Sequence, residues 1–173
     1  FQSTGDSQAA FAINLLGTDT SVSGRERALA TMEQALSEGD GRAAMRLGTL
    51  ALQNVQADGD VAYAKAISYY SRAVDLDTPD AWRAYAVTSA NRGYFAGKDT
   101  PLGKSLLVEA YGRLVKATAA GESSRDVLWH LGFLEVTGLG GQIEPVAGYD
   151  HILAAADKGH GQAALWIANR YAA

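Results

Sequence analysis

The sequence predicts an all-α protein made of about four helix pairs plus a closing helix, and three observations carry that expectation. Alanine, the strongest helix former, supplies 32 of the 173 residues, against 15 for Val and Ile together, the β-branched residues that strands favour. Only three prolines interrupt the chain. An alanine frame also recurs: residues 35–43 (ALSEGDGRA), 73–81 (AVDLDTPDA) and 155–163 (AADKGHGQA) share Ala-x-x-x-[Gly/Asp]-x-x-x-Ala. Its anchors Ala35, Ala73, Ala117 and Ala155 stand 38, 44 and 38 residues apart. Repeats of this length are single helix-pair units that bury their apolar faces by stacking on neighbours.

Taken in order, the elements follow from helical periodicity. Three- and four-residue apolar steps predict helices over 41–55, 61–76, 80–90, 102–119, 126–136, 146–156 and 161–171. The clearest is 61–76, where Ala62, Ala66, Tyr69, Tyr70, Ala73 and Val74 share one face. Gly39, Gly121 and Gly159 follow apolar helices at C-cap positions, where a left-handed residue is wanted, and residues 77–79 turn the chain in the same way. The longer middle step has its cause in a Gly- and Pro-containing loop over 91–101 (NRGYFAGKDTP). Leu47-Gly48 and Leu131-Gly132 place a small residue beside a large one, which marks a helix face closely approached by another. The repeats are expected at 6–40, 41–79, 80–123 and 124–160, with the closing helix at 161–173.

Composition excludes several function classes. A formal charge of −4 argues against nucleic-acid binding, which needs clustered Lys and Arg. With no cysteine there is no disulfide, thiolate nucleophile or Cys-ligated zinc. No apolar run reaches the roughly 18 to 20 residues that cross a bilayer, and 8–17 is too short and lacks the basic flank of a signal peptide. The start at Phe1 reads as a processed or trimmed end, and the lack of cysteine leans towards export over the cytoplasm while leaving the compartment open.

Residues 65–74 (KAISYYSRAV) follow the pattern K-A-x-x-W-Y-x-K-A-A almost position by position. Leu131-Gly132, then Gly138-Leu139-Gly140, then residues 155–159 (AADKG) follow the rest of that pattern in the fourth repeat. In these features the chain resembles the Sel-one-like repeat family, a branch of the tetratricopeptide-type α-solenoids. The match is looser in the first repeat, and in the third, where Tyr85-Ala86 replaces Leu-Gly. The resemblance implies a right-handed α-α superhelix and a bacterial adaptor role.

Candidate chemistry yields mostly to plainer readings. His130, His151 and His160 lack the i, i+4 spacing of a helical metal site. Residues 138–141 (GLGG) lack the Lys-Ser/Thr of a phosphate loop and read as an inter-helix turn. Asp58-Gly59-Asp60 and Asp75-Leu76-Asp77 lack the twelfth-position Glu of a calcium loop and read as caps. No Ser sits in a G-x-S-x-G elbow.

By similarity to tetratricopeptide arrays, a concave groove would present Arg42 and Met45 in the second repeat, Arg83 in the third, Trp129 and Phe133 in the fourth, and Asn169 at the end. Trp129 and Phe133, one helical turn apart, are the expected apolar anchor, although Trp129 equally suits packing between repeats. The expected function is therefore a non-catalytic protein-binding module holding a protein partner, with no cofactor and no metal. An immunity protein covering a secreted toxin is the alternative within the binding class. An enzyme or small-ligand receptor around Trp129, His130 and His151 is the rival from outside it. If the groove fails, the aromatics Tyr94 and Phe95 on the 91–101 loop are the next place to look.

Overall fold

In a computed structural model of the chain, residues 21–172 are described together with Ala10, Ala12 and Asn14, and the fold is all-helical, with no strand among the described residues. Nine helices follow in order among those residues: α1 (Val22–Ser37), α2 (Gly41–Leu52), the single turn α3 (Val55–Asp58), α4 (Asp60–Asp75), α5 (Ala81–Phe95), α6 (Pro101–Ala119), α7 (Arg125–Thr137), α8 (Pro145–Asp157) and α9 (Gly161–Tyr171). The chain divides into two compact units, Phe1–Ala81 and Trp82–Ala173. Most of the first half of the expected first repeat lies outside the described residues. Ala10, Ala12 and Asn14 are helical, and Ala12 is buried in the first unit's core. No helix among the described residues is long and apolar enough to cross a membrane.

The alanine anchors have one structural job, repeated four times. The carbonyls of Ala35, Ala73, Ala117 and Ala155 accept bonds at 2.9–3.0 Å from the N–H groups of Asp40, Thr78, Glu122 and His160, each five residues on. Such a cap needs a left-handed residue just before the donor. That place falls to Gly39, Asp77, Gly121 and Gly159, with φ of 93°, 48°, 93° and 81°. Asp77 thus does without a glycine what glycine does in the other three. One and two turns earlier the same spacing returns as packing. Ala28/Met32/Ala35, Ala66/Tyr70/Ala73, Ala110/Leu114/Ala117 and Gly148/Ile152/Ala155 are all buried.

Partner helices meet where the small residues stand. A Cβ built on Gly48 would lie 2.4 Å from the Tyr70 ring, so α2 and α4 touch there. A Cβ on Gly132 would lie 2.6 Å from the Gly148 carbonyl, and one on Gly148 would lie 2.8 Å from the Gly132 carbonyl, so α7 and α8 touch backbone to backbone.

Two boundaries depart from expectation. The helix expected over 41–55 stops at Leu52 and gives way to the separate turn α3. The helix expected over 80–90 continues to Phe95, so the loop shrinks to residues 96–100. Gly93 is held inside α5 because Leu107 of α6 packs on it, at 2.7 Å from a Cβ built there. Tertiary packing here overrides a poor helix former. Tyr94 and Phe95 accordingly sit on the last turn of a helix.

Candidate functional site

The site assembles on α7, in the second unit. Ser124 stands at its N-cap, and Gly138, in the left-handed conformation at φ 70°, ends it. One face of the helix is core: Val127, Leu128, Leu131, Gly132, Leu134 and Glu135 are buried. The opposite stripe, at three- and four-residue steps, carries Asp126, Trp129, His130 and Phe133, each half-buried.

Around that stripe five rings form a continuous chain. His160 stacks on Trp129 with centroids 5.2 Å apart and planes 21° from parallel. Trp129 lies 5.3 Å from Phe133. Phe133 meets Tyr94 edge-on at 6.2 Å, and Tyr94 stacks on His130 at 5.8 Å. The separations are those at which aromatic pairs attract. Three elements supply the rings: the last turn of α5 gives Tyr94, α7 gives three, and the N-cap of α9 gives His160.

The polar atoms in this chain are unusual. The Tyr94 hydroxyl and His130 Nδ1 are buried, and neither has a hydrogen-bond partner. Burial raises the Tyr94 phenol above its ordinary range. Burial, aided by the charge His160 would carry, lowers His130 to about 4, against a weaker opposing pull from Asp126. Both groups are therefore neutral at pH 7. His160 is lowered too, chiefly by burial, although Asp126 Oδ1 lies 3.7 Å from its Nε2. Its Nδ1 accepts from the Ala163 N–H at 3.2 Å, so His160 caps α9, a role that requires that nitrogen unprotonated.

No protein-family model matches the chain, and no curated protein matches it.

The expected groove residues divide between the units. Arg42, exposed, and Met45, packed on the first core, belong to the first unit. The Arg42 Nε lies 3.6 Å from Asp40, the N-cap residue of α2. Arg83 (half-buried), Trp129, Phe133 and Asn169 (exposed) belong to the second. Ring contact joins Trp129 directly to Phe133. Trp129 also packs against the core cluster of Leu128, Ile152, Ala155 and Ala163, so it serves both surface and core. His151 turns to Glu135 instead of joining the ring chain: its Nδ1 lies 2.7 Å from Oε2 of that buried carboxylate. Among the described residues no cluster of three or more His, Cys, Asp or Glu could hold a metal ion.

Sequence reasoning missed Tyr94, His130 and His160 as members of one array. A signal for Tyr94 was present. Arg83, Val87, Ala90 and Tyr94 continue a single three- and four-residue stripe, once the helix is allowed to run past 90.

Proposed function

We propose that the protein is a non-catalytic protein-interaction module of the tetratricopeptide-like type, engaging a protein partner through the aromatic face of α7. One observation carries the reading: five rings, half-buried and in mutual contact, are bordered by two buried polar atoms without partners. Aromatic side chains set in a partly desolvated patch are the usual energetic centres of protein interfaces. A buried hydroxyl and a buried ring nitrogen left unpaired cost roughly 1–3 kcal/mol each, a local cost of the kind that functional faces carry. The four recurrences of cap and buried face support the repeat reading, and the likeness to Sel-one-like repeats supports an adaptor role.

The test is capture from native lysate on immobilised protein, with wild type and Phe133→Ala run side by side. A specific partner should bind the wild type and bind the variant roughly thirtyfold more weakly, since loss of an anchor aromatic costs about 2 kcal/mol. The variant's helical circular dichroism should persist. A partner retained equally by the folded variant removes this face from the interface.

A further inference from the structure

The first unit holds a cleft of about 600 Å³ that the α7 face does not involve. It lies among α1, α2 and α4, and its size falls in the range of ligand sites. On each of the three helices the lining pairs a cation with an apolar side chain one turn away: Arg25 with Leu29, Arg46 with Leu50, and Lys65 with Val61.

Among the described residues, no ion pair involves Arg25, Arg46 or Lys65. Arg46 is half-buried, and its Nε is buried without a hydrogen-bond partner. Among the described residues, Lys65 is engaged through the Tyr69 ring, 5.9 Å from its Nζ. Of the two carboxylates on the lining, that of Glu33 accepts the Tyr69 hydroxyl, and Asp58 is exposed. In a chain of net charge −4, three unpaired cations around one cleft stand out. A guanidinium seldom goes below the surface unpaired.

We propose that this cleft binds a short acidic peptide segment of a partner protein, its carboxylates on Arg25, Arg46 and Lys65 and its apolar side chains against Leu29, Leu50 and Val61. Length and spacing favour a peptide over a free anion. The α1 lining runs from residue 25 to 33 and the α4 lining from 61 to 69. Each stretch is about 12 Å of helix at 1.5 Å per residue. An extended chain at about 3.3–3.6 Å per residue covers that with three or four residues. Side chains two residues apart in such a segment point the same way at about 6.6–6.8 Å, close to the one-turn step between each cation and its apolar neighbour, so a segment with an acid and an apolar residue two positions apart meets both at once. A lone phosphate would leave the apolar walls bare.

Fluorescence anisotropy on the full chain tests this with a labelled hexapeptide Glu-Glu-Leu-Leu-Glu-Glu, acetylated and amidated at its ends. A Gln-for-Glu peptide and inorganic phosphate are the comparisons. The Glu peptide should bind saturably and at least tenfold more tightly than the Gln peptide. Arg46→Gln should weaken it at least tenfold, while Lys104→Gln on α6 and Phe133→Ala leave it unchanged. If Arg46→Gln alters the helical spectrum, the exposed pair Arg25→Gln with Lys65→Gln replaces it and should weaken binding as much. Equal binding of the two peptides, or indifference to the cation changes, overturns the proposal. Phosphate binding as tightly as the peptide overturns it too and assigns the cleft to a free anion. Because the α7 face is untouched, either site can fail without the other.

Discussion

Acidification from pH 7 to pH 4 should unfold the second unit first, and His130 is the reason. Its folded-state value of about 4 stands below the ordinary 6.5, held down chiefly by burial beneath Tyr94 and secondarily by His160. Asp126, on the same helix, opposes the shift but does not reverse it. Because the folded value is depressed, the unfolded chain takes up the proton first. The neutral-His contribution is therefore complete above pH 6.5 and is lost as pH falls from there to about 4. With 1.36 kcal/mol per unit of difference, the loss is about 1.4 kcal/mol at pH 5.5 and about 3 kcal/mol at pH 4, an upper figure for a group with some solvent access. His160 adds to the same slope, since its value is also lowered and its protonation would remove the α9 cap. All three tryptophans, Trp82, Trp129 and Trp166, fall in the second unit. Urea titrations followed by Trp fluorescence thus report that unit, while circular dichroism reports both. The fluorescence midpoint should fall between pH 7 and pH 5.5 in the wild type. In His130→Phe, which keeps a ring against Tyr94 and removes the unpaired nitrogen, the fall should be clearly smaller, with stability at pH 7 unchanged or higher. An identical pH dependence in the variant would mean that His130 titrates normally and that the burial argument is wrong.

Three further outcomes follow from the geometry. Gly132→Ala should cost roughly 1–3 kcal/mol or more in urea denaturation, because its Cβ meets the Gly148 carbonyl at 2.6 Å and backbone cannot step aside. Thr100→Ala should cost about 1 kcal/mol by thermal denaturation, since the Thr100 hydroxyl accepts the Gly103 N–H at 2.9 Å to cap α6. Glu135→Gln and His151→Gln should couple by about 1–3 kcal/mol in a double-mutant cycle, as the pair sits 2.7 Å apart with the carboxylate buried.

The fold was legible because its determinants are local and repeated. An alanine that closes a helix, a left-handed residue four positions on, and two buried residues one and two turns earlier occupy a handful of fixed offsets. Four copies make the pattern visible against background. Even Asp77, which is not a glycine, could be placed, because Ala73 before it kept the register. What was illegible were endings fixed by contacts distant in sequence. Nothing near Gly93 tells a reader that Leu107 will pack on it and carry α5 through to Phe95. The loop bias of the 91–101 segment lost, up to Phe95, to one tertiary contact.

That single misplaced boundary also hid the site. With the helix ending at 90, Tyr94 falls on a loop, and Trp129 with Phe133 is an isolated pair. With the helix running to 95, Tyr94 is brought against Phe133 and His130, and the pair becomes the middle of a five-ring chain. The role of His160 is hidden from the sequence for a related reason. Its place at the end of one helix is a matter of sequence, but its use of Nδ1 to cap the next while stacking on Trp129 needs the N-terminus of α9 brought against α7. The consequence for binding is concrete. A partner seated on Phe133 would press against rings whose polar tips, Tyr94 Oη and His130 Nδ1, are already neutral at pH 7, so docking there desolvates no charge on those two groups. Below about pH 4 His130 charges, and the same face becomes costly to cover. Affinity through this face should therefore hold steady from pH 7 to about pH 5, where His130 in the folded unit stays neutral, so a loss of binding in that window reports unfolding of the second unit and not a charge on the face.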